Sequence, residues 1–303
     1  MRRPLRVSDE VAIALRNSEP IVALESTIIS HGMPFPQNVE CARNVESAVE
    51  ASGARAATIA IVDGDLVVGL TPDEMDKLAD TSAIKASRRD LAAAVASKLT
   101  GGTTVAATMM IAHLAGIRIF ATGGIGGVHR GYENTLDVSA DLEELAQTPV
   151  AVVCAGIKSV LDLPRTLEYL ETKGVAVLGF RIDNLPAFYA RDSGLPLDYR
   201  VETAADIAAM LIAHDSIGLN NGTLIANPIP AAHALPRETM DRLINTAIKE
   251  MEAAAITGKD ATPFLLQRIT ELSAGDSLAA NMALVVNNAR LAAEIAVSYA
   301  TSG

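Results

Sequence analysis

Reactive side chains stand directly behind apolar runs at several points along this chain. In Ile21-Val22-Ala23-Leu24-Glu25 a carboxylate closes a strand-like run and is followed by more apolar residues. Partial desolvation would raise its pKa and suit it to proton transfer. A Glu that caps a helix or steadies a turn is the other reading. The run Val150–Ala155 leads into Gly156-Ile157-Lys158-Ser159, with a lysine at its mouth. Lysine is scarce, seven against eighteen arginines. An amine desolvated there loses pKa and becomes a nucleophile. A surface lysine at a helix start is the alternative, although the helix dipole disfavours it. Lys85, among the small residues Ser82–Ser87, is either an anion contact or simply solvated.

Two further stretches are less specific. Thr122-Gly-Gly-Ile-Gly-Gly-Val-His129 has four glycines behind a strand, which lets backbone N–H groups approach a ligand closely. A tight turn or a mobile lid uses the same residues. The dinucleotide fingerprint is incomplete here, and GxxxxGK[ST] occurs nowhere, so nucleotide-phosphate binding by this loop and nicotinamide chemistry lack support. In Asn134–Glu144, Ser139 is placed to cap a helix and hold an anion with its hydroxyl and the neighbouring amides. Asp137 lies just outside that helix, where one carboxylate makes a loose, water-rich site for a hard divalent ion. An ordinary helix start has the same composition. The five histidines form no HxxxH pair, no GxSxG elbow occurs, and neither Cys41 nor Cys154 has a nucleophile's local signature.

The elements that must position these residues follow from periodicity. Apolar runs predict strands over Ile21–Leu24, Ala57–Val62, Leu66–Gly69, Ile117–Thr122, Val150–Ala155, Val175–Gly179 and Leu224–Ala226, with Asp63-Gly64 as a hairpin turn. Helix-period stretches predict helices over Gln37–Ser52, Pro72–Ala79, Thr104–Ala115, Ser159–Thr172 and Thr203–Ala213. This alternation points to an α/β/α sandwich around a mainly parallel sheet, with one small hairpin. From residue 237 the pattern becomes purely helical, with helices expected over Arg237–Thr257, Pro263–Leu272 and Ser277–Ala300 as a cover. A single domain over residues 1–303 is expected. Ligands of such sheets bind outside the carboxyl ends of the strands, which is where these polar residues fall.

Composition narrows the class. Half of the 303 residues are hydrophobic, yet they include five Phe, five Tyr and no Trp. Small aliphatic side chains therefore supply the core, and few rings remain to stack single-stranded bases. The net charge of −11 disfavours a general phosphate-backbone binder while permitting a local anion site. Neither cysteine belongs to a CxxC pair, so a disulfide framework or zinc knuckle is not expected. No secretory signal pattern opens the chain and no apolar run approaches about 18 residues, so a soluble cytoplasmic protein is expected.

Five long stretches resemble the pseudouridine-5′-phosphate glycosidase (pseudouridylate synthase) family: ALESTIISHGMPFPQN (23–38), LTGGTTVAATMMIAHLAGI (99–117), FATGGIGGVHRGYENTLDVSADLEEL (120–145), VVCAGIKSVLDLPRTLEYLETKGV (152–175) and SLAANMALVVNNARLAAEIA (277–296). The resemblance implies a lyase that reversibly cleaves the C–C glycosidic bond of pseudouridine 5′-phosphate to uracil and ribose 5-phosphate. It also implies an α/β/α fold, a homotrimer and a Mn²⁺ ion. Lys158 is the implied nucleophile at C1′ of the ring-opened sugar, Glu25 the implied general acid/base, and Asp137 the implied Mn²⁺ ligand. Lys85, the backbone at Val105, and Ser139, Ala140 and Asp141 fall at substrate-binding positions, and His129 and Asn281 lie in matching segments. The sugar-kinase domain often fused to family members is not part of this sequence, so another chain is expected to phosphorylate pseudouridine. Two alternatives stay open: a C-ribosylating synthase of a specialised pathway, and a non-catalytic sugar-phosphate regulator, which would have no use for Lys158.

Overall fold

The computed structural model describes residues 4–79, 82–256, 258 and 261–302. Its strands are β1 (Leu5–Val7), β2 (Ile21–Leu24), β3 (Arg55–Val62), β4 (Asp65–Val68), β5 (Ile84–Ala86), β6 (Gly101–Thr103), β7 (Ile119–Ala121), β8 (Ala151–Cys154), β9 (Ala176–Phe180), β10 (Tyr199–Val201) and β11 (Thr223–Ala226). They form one sheet in the order β1-β4-β3-β2-β7-β8-β11-β9-β10, with β6 also pairing β3, and β5 pairing β6. All pairs from β3 through β2, β7, β8, β11 and β9 to β10 are parallel. Every residue of β2, β8 and β11 is buried, as continuous apolar runs covered on both faces require. The predicted hairpin joins β3 to antiparallel β4. Asp63 and Gly64 both have positive φ, 51° and 87°, the primed-turn geometry that matches strand twist.

The α-helices are α1 (Asp9–Arg16), α2 (Gln37–Ala51), α3 (Pro72–Leu78), α4 (Leu91–Ala96), α5 (Val105–Ala115), α6 (Tyr132–Thr135), α7 (Ala140–Leu145), α8 (Leu163–Thr172), α9 (Ala204–Ser216), α10 (Arg237–Ala253), α11 (Ala261–Leu272) and α12 (Asp276–Ser302). The predicted sandwich and helical cover are present. α12 packs on α2 and α9 and against β2, β7 and β8. It is also fastened by polar bonds: buried Asn288 donates to the Thr122 carbonyl at 2.8 Å and accepts from Asn227 at 3.0 Å. The second C-terminal helix begins at Ala261, so Pro263 sits inside its first turn. Ser159–Leu161 do not join α8, because Asp162 caps it through the Arg165 amide at 3.1 Å. The helix predicted to Thr257 ends at Ala253, and Thr257 itself lies outside the described residues. No described helix is long and apolar enough to cross a membrane. Cys41 and Cys154 are free and buried, and burial pushes both thiols up to about 12.

At the end of the sheet away from the predicted reactive residues, Arg118 forks onto Asp215 with bonds of 2.7 and 3.2 Å, and Tyr299 donates to the same carboxylate at 2.6 Å. This joins the edge of β7 to the ends of α9 and α12. Burial alone would raise Asp215, but the Arg118 and Tyr299 bonds outweigh it and hold the carboxyl below its ordinary value. A depressed folded pKa gives stability above the unfolded value, near ~3.9, which is lost as pH falls through the folded one. Asp215→Asn is therefore expected to cost at most about 1 kcal/mol at pH 7, since water still reaches the pair, with the gap to wild type narrowing towards pH 3. Urea unfolding across that range checks both the sign and the window.

Candidate active site

The chain passes from β2 to β3 on one side and returns later to β7 on the other, so the strand order reverses between β2 and β7. Crevices at such switch points, outside the carboxyl ends of the strands, hold ligands. Glu25 leaves β2 at this crevice. Its carboxylate accepts from the hydroxyls of Thr27, two residues on, and of Thr122, the residue after β7. The turn-stabilising geometry is thus present, in a side chain that also lines the crevice. Ser26, fully buried behind it, donates to the Ile59 carbonyl at 2.6 Å and accepts from the Thr103 amide at 3.0 Å. The backbone then makes one π-helical turn, Ile28–Gly32, an irregularity frequent at functional sites.

Lys158 follows β8 on a turn rather than at a helix start, so the helix-dipole objection does not apply. Its amide donates to the Ile125 carbonyl at 3.1 Å, while the Ile125 amide donates to Gly156 at 3.1 Å. The glycine loop is therefore a splint between β7 and the lysine segment, bridge-paired to it at Ile125 and Ile157 rather than folded as a tight turn. Gly124 must lack a side chain, because a Cβ there would lie 2.7 Å from the Phe188 ring. A short helix does follow the loop, α6, entered through Gly131 at φ 79°.

Two cavities meet at these residues. A polar one of about 280 Å³ is lined by Val105, His129, Asp137, Ser139, Ala140 and Asp141. A smaller one of about 60 Å³ is lined by Ile28, His31, Phe188, Asn281 and Val285. Glu25, Lys85 and Lys158 line both. All the predicted site residues are thus gathered in one place. Ser139 caps α7 as expected, accepting from the Asp141 amide at 3.2 Å. The Asp141 carboxylate accepts from the amides of Ala106 and Gly126 at 3.0 and 2.8 Å. Burial pushes His129 below the ordinary imidazole value; nearby Asp137 raises it, and Lys85 and Lys158 lower it further. A wider cavity of about 570 Å³ lies at the amino ends of β2 and β7, beside Arg118, away from Glu25 and Lys158.

The donor set for a metal is thin. Among the described residues no group of three or more His, Cys, Asp or Glu side chains could hold an ion. Asp137 stands 3.7 Å from His129. One half-exposed carboxylate fits a hard divalent ion only if that ion keeps most of its waters.

Sequence reasoning missed Thr27, Thr122 and Ser26. Adjacency to Glu25 could have found Ser26 and Thr27, whereas nothing local marks Thr122, which lies 97 residues from the carboxylate it meets.

The family model of the indigoidine synthase A-like proteins matches residues 10–298. A pseudouridine-5′-phosphate glycosidase of Glaesserella parasuis serovar 5 is 55% identical over 300 residues, covering 99% of each chain. The chain belongs to the pseudouridine-5′-phosphate glycosidase family, a family of enzymes. Its namesake in Caldanaerobacter subterraneus is also 55% identical, over 98% of this chain and 97% of its own. Among solved structures, the prealnumycin C-glycosynthase AlnA in complex with ribulose 5-phosphate is 39% identical, with a TM-score of 0.90 over 98% of this chain and 97% of its own. An indigoidine synthase A-like protein from Thermotoga maritima, 32% identical, gives 0.91 over 99% and 98%.

Proposed function

We propose that the chain reversibly cleaves the C–C glycosidic bond of pseudouridine 5′-phosphate, giving uracil and ribose 5-phosphate. The observation that carries this reading is the shared wall of the two cavities. Glu25 and Lys158 stand where the smaller cavity meets the polar one at the start of α5 and α7. Helix N-termini and the Ser139 hydroxyl suit a sugar phosphate, with Lys85 as counter-charge. Asn281 and His31 supply polar edges in the other cavity.

A C–C bond offers no heteroatom for a general acid to expel, so the two-carboxylate glycosidase scheme does not transfer. In our reading the Lys158 amine adds to C1′, and the ring oxygen leaves as the C4′ hydroxyl. Glu25 then protonates uracil C5 at the expense of the C5=C6 π pair, the C1′–C5 electrons restore C5=C6 as that bond breaks, and the Lys158 nitrogen stabilises the resulting iminium carbon. Water hydrolyses the imine, releasing ribose 5-phosphate and the free amine. Asp137 would hold Mn²⁺, which when bound supplies positive charge to the substrate's oxygens. The homotrimer implied by the resemblance belongs to this reading, and sedimentation tests it.

The likeness to AlnA favours a second reading, in which ribose 5-phosphate is joined to a larger aromatic acceptor. The relatives at 55% identity, named as pseudouridine-5′-phosphate glycosidases, argue for uracil instead. Purified chain with Mn²⁺ is expected to release uracil from pseudouridine 5′-phosphate, followed by chromatography. No release, with turnover of ribose 5-phosphate only in the presence of bulkier acceptors, would establish the second reading.

A further inference from the structure

Asp141 lines the polar cavity, yet both of its carboxylate oxygens are already engaged by backbone. Oδ1 accepts from the Ala106 amide in the first turn of α5, at 3.0 Å. Oδ2 accepts from the Gly126 amide in the glycine loop, at 2.8 Å. The residue is 6% exposed, and burying a charge at that depth is costly unless hydrogen bonds replace the lost water. Two amide donors do so. Gly126 is packed so closely onto this turn that a Cβ would lie 2.1 Å from the Ser139 hydroxyl and 2.8 Å from Asp141 Oδ2. The peptide group that carries the Gly126 amide also carries the Ile125 carbonyl, which accepts from the Lys158 amide at 3.1 Å. One continuous bonded path therefore runs from the Asp141 carboxylate through residues 126 and 125 to the backbone of Lys158. A second arm reaches the start of α5.

We infer that Asp141 is a positioning residue: its carboxylate locks the glycine loop against α5 and thereby sets the backbone that aims Lys158. The same carboxylate would repel a phosphate that it touched directly, which argues against a contact with that group. Asparagine cannot replace it. Its single carbonyl oxygen satisfies one amide, and its NH₂ then faces the other donor. The kinetic part of this inference rests on the glycosidase reading, whereas the structural part does not.

The test uses the full chain carrying Asp141→Asn. Hydrogen–deuterium exchange is expected to speed up at least about tenfold at Ala106 or Gly126. Unchanged exchange at both amides overturns the inference whatever the substrate is. In uracil release from pseudouridine 5′-phosphate, kcat is expected to fall by roughly thirtyfold or more with KM within about threefold. A raised KM at unchanged kcat would make Asp141 a substrate contact and overturn the positioning role. If the wild-type chain releases no uracil, the glycosidase reading fails and the exchange measurement alone decides. Should the variant not fold, exchange in the wild-type chain decides: strong protection of both amides is expected, and unprotected amides overturn the inference.

Discussion

Lys158→Ala is expected to lower uracil release from pseudouridine 5′-phosphate by at least about a thousandfold. The side chain is only partly buried, and the backbone bond from its amide to Ile125 survives the substitution, so the thermal midpoint should scarcely move. A loss of that size in a folded chain assigns the effect to the amine. Borohydride reduction in the presence of ribose 5-phosphate sharpens the test. The wild-type peptide bearing Lys158 should gain the mass of the reduced sugar adduct, and the variant should not. Sugar trapped on Lys85, or full activity without Lys158, would move the nucleophile elsewhere. Lys85 lines both cavities as well and is the natural competitor.

Glu25→Gln is the second large effect, with kcat expected to fall roughly 10²–10⁴-fold. Glutamine keeps the shape, and the Thr27 and Thr122 hydroxyls can rotate to meet its amide, since a hydroxyl both donates and accepts. What disappears is the acidic proton that a carboxyl group can give and take back. Trapping of ribose 5-phosphate on Lys158 should therefore persist while C–C cleavage stops. Loss of trapping together with turnover would instead point to a collapsed pocket and deny Glu25 its proton-transfer role.

Much of the site was legible because its reactive residues sit where a local pattern breaks. Glu25 and Lys158 each end or follow a run of buried aliphatic residues, and both emerge at the carboxyl edge of the sheet. The Asp63-Gly64 hairpin and the Ser139 cap were legible for a similar reason, since each depends on the conformational habits of one or two neighbouring residues. Other elements carried no such signal. β6 is Gly101-Gly102-Thr103, a sequence with little strand preference, and it is a strand because β3 and β5 flank it. Gly102 has no room for a side chain, as a Cβ there would lie 2.2 Å from the Ser30 hydroxyl.

What the sequence determined by itself was therefore the class of fold, the family, and the residues offered to the crevice. Side-chain type and periodicity encode burial along a single element, and long matching runs encode ancestry. Only the tertiary structure decided how those residues are held. Strand order brings Thr122 to Glu25 across 97 positions, and helix packing brings Asp141 to Ala106 and Gly126 across 35 and 15. A hydrogen bond is specified by position in space to within a few tenths of an ångström, and no spacing along the chain expresses that until the sheet has formed.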